Sequence, residues 1–191
     1  MGGGYYPAAA GVASSDSADS EGVAPVVGKL VSRHSFNRIK PVRGVIQRVT
    51  EASVTSEGEV VGSIGPGLMV LIAAGEGDTE KDADVLVGKI ANLRIFSDAE
   101  GKMNLSVLDT GGEVLGVSQF TLFGDARKGR RPSFVGAMEP VRANELYERV
   151  IEGLRSAGVS KVATGRFRTE MKVALVNDGP VTLLIDTHKN F

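Results

Sequence analysis

The stretch "ALVNDGPVTLLID", residues 174–186, constrains the fold more than any other part of the chain. Two apolar, β-branched runs flank Asn-Asp-Gly, and Asp-Gly between such runs is a strong short hairpin signal. The chain therefore ends on sheet, with a reversal expected near Asp178. Pro180 complicates that reading, because it cannot donate to a strand ladder and it restricts the conformation of Gly179 before it. A plain hairpin needs no such stiff, donor-poor corner, so the corner calls for a reason of its own.

The sheet recurs upstream. "RGVIQRVTEASVTSEGEVVGSIG" gives short β-branched runs broken by Ser-Glu-Gly-Glu, a second hairpin, and "LMVLIAA" at 68–74 is unbroken enough to be a strand buried on both faces. "LRIF", "KMNLSVL", "EVLGVSQFTLF", "MKVALVN" and "VTLLID" read as further strands. The period changes to a helical one twice. In "DTEKDADVLVGKIANL", Ala83, Leu86, Ile90 and Leu93 share a face, with Asp78 or Thr79 as cap and acids in the first turn. From Pro140 to about Arg155, the positions Ala143, Leu146, Tyr147, Val150, Ile151 and Leu154 form a second apolar face, with Gly158 just beyond the end. Strands outnumber helices, which predicts an α/β fold of the α+β kind, a mixed sheet with two helices covering one face.

Residues 1–42 stand apart. They open on a run rich in Gly, Ala, Ser and Pro without hydrophobic period, a composition that cannot offset its own ordering entropy. They are expected to form a disordered extension, and residues 43–191 the folded domain. "KLVSRHSFNRIKPVR" is basic and free of acids, as in an organellar leader, but Asp16, Asp19 and Glu21 lie upstream; a cleaved leader stays open as the alternative.

Several chemistries are poorly served. The chain holds no cysteine, which removes thiolate nucleophiles, disulfides and Cys-ligated metals and agrees with a reducing, cytoplasmic setting. Its longest apolar run is far short of the ~20 residues of a membrane span, so no membrane partner is expected. Net charge is −1, so any nucleic-acid contact must come from a local patch. "GEGDTE" at 75–80 resembles a phosphate loop in position only. Glu76, Asp78 and Glu80 would repel a phosphate, no Lys-Ser/Thr pair closes the loop, and a capped turn explains it. His34 and His188 are poorly placed for a triad or a metal site, and neither a metal nor a cofactor is expected.

Two stretches remain. In extended conformation "SQFTLF" points Ser118, Phe120 and Leu122 one way and Gln119 and Thr121 the other, so one face carries two neighbouring hydrogen-bonding side chains. An ordinary polar strand face and a reaction site both fit. "DARKGRRPSF" sets Arg127, Lys128, Arg130 and Arg131 within five positions beside a glycine, either a solvated loop or a patch for a nucleic-acid backbone.

Taken together, "VIQRVTEASV", "KIANLRIF", "GKMNLSV", "SQFTLF" with "RKGRRPSF", and "NDGPVT" closely resemble the D-aminoacyl-tRNA deacylase family, in order and spacing, from Arg43 to about Asp186. The first 42 residues fall outside the resemblance. It implies a strongly curved, barrel-like sheet and a hydrolase that cuts the ester joining a D-amino acid, or glycine, to the terminal adenosine of tRNA. It implies that Ser118, Gln119, Phe120 and Thr121 line the reaction floor. Asn177, Gly179, Pro180, Val181 and Thr182 would form a chiral filter, a cis Gly-Pro motif that enters the partner subunit of a homodimer, braced by Arg48. Aminoacylated tRNA and a second copy of the chain are the implied partners. Two alternatives are a non-catalytic nucleic-acid-binding module using 127–131, and the related deacylase that edits L-alanyl-tRNA, which resembles this family but has a proline before the Gln and a trans Gly-Pro. Ser118 and the intact "GPVT" point away from the second.

The chemistry must then run without an evident acid or base. Backbone N–H groups around 119–121 are candidate oxyanion donors. Thr121 has no histidine or lysine poised to activate it, so the substrate's own 2′-hydroxyl is the favoured assistant, with Thr121 positioning the substrate.

Overall fold

A computed structural model describes residues 42–187; residues 1–41 and both histidines lie outside the described residues, whereas Val42, expected to close the extension, is buried in the core and belongs to the folded domain. The elements run β1 (Arg43–Ser56), β2 (Glu59–Ile64), β3 (Gly67–Ala73), α1 (Glu80–Asn92), β4 (Phe96–Ser97), β5 (Met103–Leu105), β6 (Glu113–Ser118), a 3-10 turn (Phe120–Phe123), α2 (Pro140–Ser156), β7 (Val162–Thr164) and β8 (Met171–Asp186). Strand β1 is the spine. It pairs antiparallel with β3 through its first half, with β2 through its second, and with β8 along nearly its whole length. Strands β6 and β7 add to β3 in parallel.

The unbroken apolar run of β3 has its reason here. Leu68, Val70 and Ile72 face the helices with Leu86, Ile90, Leu146 and Ile151, whereas Met69 faces the inside of the curved sheet with Val49, Val54, Leu115 and Val117. The curvature nearly closes the sheet. Strand β2 bends until a Cβ on Gly62 would stand 2.5 Å from the Thr164 carbonyl of β7, so that only glycine fits the approach.

Both helices lie where the periodicity put them. In α1, the Asp82 carboxylate accepts from the Thr79 N–H at 2.9 Å and from its hydroxyl at 2.7 Å. In α2, Glu139 accepts from the N–H groups of Val141 and Arg142 and Pro140 opens the first turn. Tyr147 fastens α2 to the sheet by donating 2.9 Å to the Gly116 carbonyl. Burial holds its phenol well above the ordinary tyrosine range. Among the described residues no helix is long and apolar enough to cross a membrane.

Four strand expectations need correction. "SQFTLF" is a strand only to Ser118, because its neighbour β3 ends at Ala73 and the next carbonyl, Ala74, accepts from Met138 instead; with no ladder to join, the chain curls into the 3-10 turn. "LRIF" contributes only Phe96, which with Ser97 makes a strand of two residues, and "KMNLSVL" is a strand only at Met103–Leu105 before the chain turns at Val107. "NDGP" is not a hairpin tip. Both apolar runs pair with the same strand β1 in the same direction, so β8 is one strand of 16 residues. The sequence also gave no hint of β7, three half-buried residues in "KVATG".

Candidate active site

The Gly-Pro corner is a bulge. Thr182 pairs with Gln47 and Asn177 with Val49, so β1 advances by two residues while β8 advances by five, and the surplus backbone is thrown out at 178–181. The Gly179–Pro180 peptide is cis and Gly179 has φ +128°, a conformation that L side chains rarely adopt.

Arg48 is the β1 residue facing this excursion. It is buried, and its guanidinium donates to the Asp178 carbonyl at 3.2 Å and the Ile95 carbonyl at 2.5 Å and pairs with the Asp178 carboxylate at 3.0 Å. The base of the bulge is laced by side chains. Asn177 Oδ1 accepts from the Val181 N–H at 2.8 Å, and Thr182 Oγ1 accepts from Asn177 at 3.0 Å and from Gln47 at 3.3 Å. Val181 turns its side chain into the core, while Asp178, Gly179 and Pro180 are exposed. Every residue expected in the filter, and its brace, thus meets in one constellation.

The second constellation begins where β6 ends. Ser118 still pairs with Ile72, and the Gln119 N–H donates 2.8 Å to the Ile72 carbonyl. That N–H is therefore committed to the sheet and is withdrawn from the expected oxyanion donors. The Thr121 N–H lies in the first turn of the 3-10 segment, where helical N–H groups have no partner within the helix. The Gln119 side-chain amide donates to Thr121 Oγ1, which leaves the exposed hydroxyl positioned, with no base hydrogen-bonded to it among the described residues. Phe120 packs edge-on against Phe134, ring centroids 5.2 Å apart. Behind the turn stands Arg43, a residue to which sequence reasoning gave no role; it donates 2.7 Å to the Leu122 carbonyl and lies 4.5 Å over the Phe123 ring. A cation at the start of a strand carries no signal of a partner some eighty positions away.

The basic loop is a closed lobe beside this turn. Asp125 and Ser133 exchange two backbone hydrogen bonds at its neck, and Phe134 anchors it on Phe120. Arg127 is bound to Asp125 by two hydrogen bonds, 2.8 and 2.6 Å, and its guanidinium holds the Asp125 carboxyl well below the usual carboxylate range. Lys128, Arg130 and Arg131 are exposed.

The two constellations do not meet within one chain. Ser118 and Gly44 both pair with Ile72, two strand spacings apart, and Arg48 lies four residues further along β1 than Gly44. At ~4.8 Å between strands and ~3.3 Å per residue, the floor and the bulge are on the order of 15–20 Å apart.

The sequence pattern of the family D-Tyr-tRNA(Tyr) deacylase matches residues 45–186. The chain is 62% identical over 150 residues to the D-aminoacyl-tRNA deacylase of Desulfitobacterium hafniense, covering 78% of this chain and 100% of that protein. It is 63% identical over 146 residues to the enzyme of the same name from Myxococcus xanthus, with coverage of 76% and 95%. Among solved structures, the c-Myc DNA unwinding element binding protein superposes with TM-score 0.72 at 42% identity, over 75% of this chain and 97% of that one. A probable eukaryotic D-amino acid tRNA deacylase shares the fold at TM-score 0.68 and 20% identity, with coverage of 76% and 98%. These likenesses define the class, hydrolases that act as deacylases. The chain belongs to the D-Tyr-tRNA(Tyr) deacylase family, whose bacterial relatives bear the name D-aminoacyl-tRNA deacylase.

Proposed function

We propose that this chain hydrolyses the ester of D-aminoacyl-tRNA, and of mischarged glycyl-tRNA, as a cytoplasmic proofreading enzyme that works as a homodimer. The observation that carries the reading is the braced, exposed Gly179–Pro180 bulge, set on the order of 15–20 Å from Thr121 in its own chain. A second copy brings a bulge to each floor. The backbone of Gly179 and Pro180 then fills the space an L side chain needs, rejecting L residues by clash while asking little of a D side chain. Glycine has no Cβ to clash and passes.

Hydrolysis needs donors aimed at the developing oxyanion, and one such donor contributes ~2.7–4 kcal/mol. The Thr121 N–H takes this part. The 2′-hydroxyl of the terminal adenosine assists the attack, while Thr121 Oγ1, held by Gln119, orients the ester. Ser118 and Phe120 complete the floor. Lys128, Arg130 and Arg131, with Arg127 in reserve behind Asp125, hold the tRNA backbone near its end.

The test is amino-acid release from matched D-, L- and glycyl-tRNA, together with the mass of the active species. Release from D- and glycyl- but not L-substrates by a dimer is expected. Tight tRNA binding without release would return the chain to a binding module, and preferential release of L-alanine to the related editing deacylase; a strictly monomeric active enzyme would sink the cross-subunit site.

A further inference from the structure

Arg43 and Asp186 form a pair that the mechanism above leaves unused. They face each other across the last rung of the β1–β8 ladder, with Arg43 Nε 3.5 Å from Asp186 Oδ2 and the carboxylate fully buried. A buried carboxylate needs a fixed cationic partner, and this one orients the guanidinium's remaining surface. That surface is turned on the reaction turn: Nη1 donates to the Leu122 carbonyl at 2.7 Å and the guanidinium carbon lies over the Phe123 ring, 4.5 Å from its centroid. Phe123 is itself buried, and the Gly124 N–H donates back to the Thr121 carbonyl at 2.9 Å. The turn is thus gripped from behind on the two residues that follow Thr121.

We infer that the Arg43–Asp186 pair is a positioning device for the hydrolytic turn, holding Thr121 in register through Leu122 and Phe123. The inference rests on the proposed deacylase function. A 3-10 turn of four residues has little rigidity of its own, and its outer face is exposed at Thr121. Without the clamp the turn keeps the Gln119 anchor in front but loses its rear support. Arginine suits the task where lysine does not, since one planar fork meets the carboxylate, the carbonyl and the ring together.

The test uses the full chain with Arg43→Lys, Arg43→Ala and Asp186→Asn, assayed well below each variant's Tm with D-aminoacyl-tRNA, L-aminoacyl-tRNA and glycyl-tRNA. Arg43→Lys keeps the charge opposite Asp186 and is expected to lower kcat roughly tenfold, the loss of one positioning hydrogen bond, with KM little changed. Arg43→Ala is expected to lower it on the order of 10²-fold, as for a misplaced reacting group. Discrimination between D and L should be unaltered in all three, because the filter lies elsewhere. Folded Arg43→Lys enzyme with wild-type kcat would overturn the inference, as would a change confined to KM or to the D/L ratio. A wild-type chain that releases no D-amino acid would instead remove the functional reading on which the inference stands.

Discussion

Gly179→Ala is the sharpest perturbation of the proposed filter. A Cβ built there lies 2.8 Å from Val181 Cγ2 and 3.1 Å from both Arg48 Nη2 and the Val181 nitrogen, where ordinary contact begins near 3.4 Å. Neither neighbour is free to retreat. Val181 is buried and its N–H is bound to Asn177, while Arg48 is held by Ile95 and Asp178. The φ of +128° adds a backbone cost of ~1–3 kcal/mol for a residue with a Cβ, and the overpacking another ~1–3 kcal/mol. The protein has two ways to respond. Strain of about 2 kcal/mol retained in place would lower Tm by roughly 4–8 °C. Strain relieved by pushing the bulge outward would misplace the filter, and a displacement of ~1 Å costs on the order of 10²-fold in rate. Deacylation of D-, L- and glycyl-tRNA and a thermal melt on the same preparation read both. Turnover of the D-substrate within about threefold of wild type, L still excluded and Tm unmoved, would refute the filter.

Thr121→Ser keeps the hydroxyl and should be milder than Gly179→Ala in the same assay. A D-aminoacyl-tRNA ending in 2′-deoxyadenosine should bind yet turn over ~10²–10⁴-fold more slowly, whereas Thr121→Ala should cost only about tenfold. A dead Thr121→Ala enzyme that met normal turnover of the deoxy substrate would make Thr121 the nucleophile. Asp125→Asn releases Arg127 and should tighten tRNA binding at low salt, steepening the log–log salt dependence by up to ~0.9, measured by filter binding. Removal of residues 1–41 should leave fold and activity intact by circular dichroism and release assay; the cut must spare Val42, which is buried in the core and whose carbonyl accepts from Thr187.

The helices and most strands were legible because burial imposes a period on them. Leu86 and Ile90, or Leu146 and Val150, recur at helical spacing for the same reason that both pairs lie in the core. The bulge was misread as a turn because Asp-Gly reports only that the backbone leaves extended geometry. Whether it then reverses or resumes depends on what stands opposite, and here β1 offers one continuous partner to both apolar runs. The 3-10 turn was hidden likewise, since Ser118 to Phe123 has strand composition and lacks only a neighbour to pair with. Residues of the filter and floor were named from resemblance, which composition and spacing alone had left open. Arg43 escaped both routes, because its partners Leu122 and Asp186 are brought to it by the sheet alone.

The continuity of β8 has a genetic consequence. In the homodimer proposed above, one strand would carry the filter that serves the other copy's floor, so the two halves of a site would be inherited on different polypeptides. A copy spoiled at Thr121 still donates a sound filter, and a copy spoiled at Gly179 still owns a sound floor. Mixed and allowed to exchange subunits at random, two such inactive populations would regain about a quarter of all sites, every one in a hybrid pair. A cell expressing both mutant alleles would show partial complementation by the same arithmetic, the active share of sites being the fraction of intact floors multiplied by the fraction of intact filters.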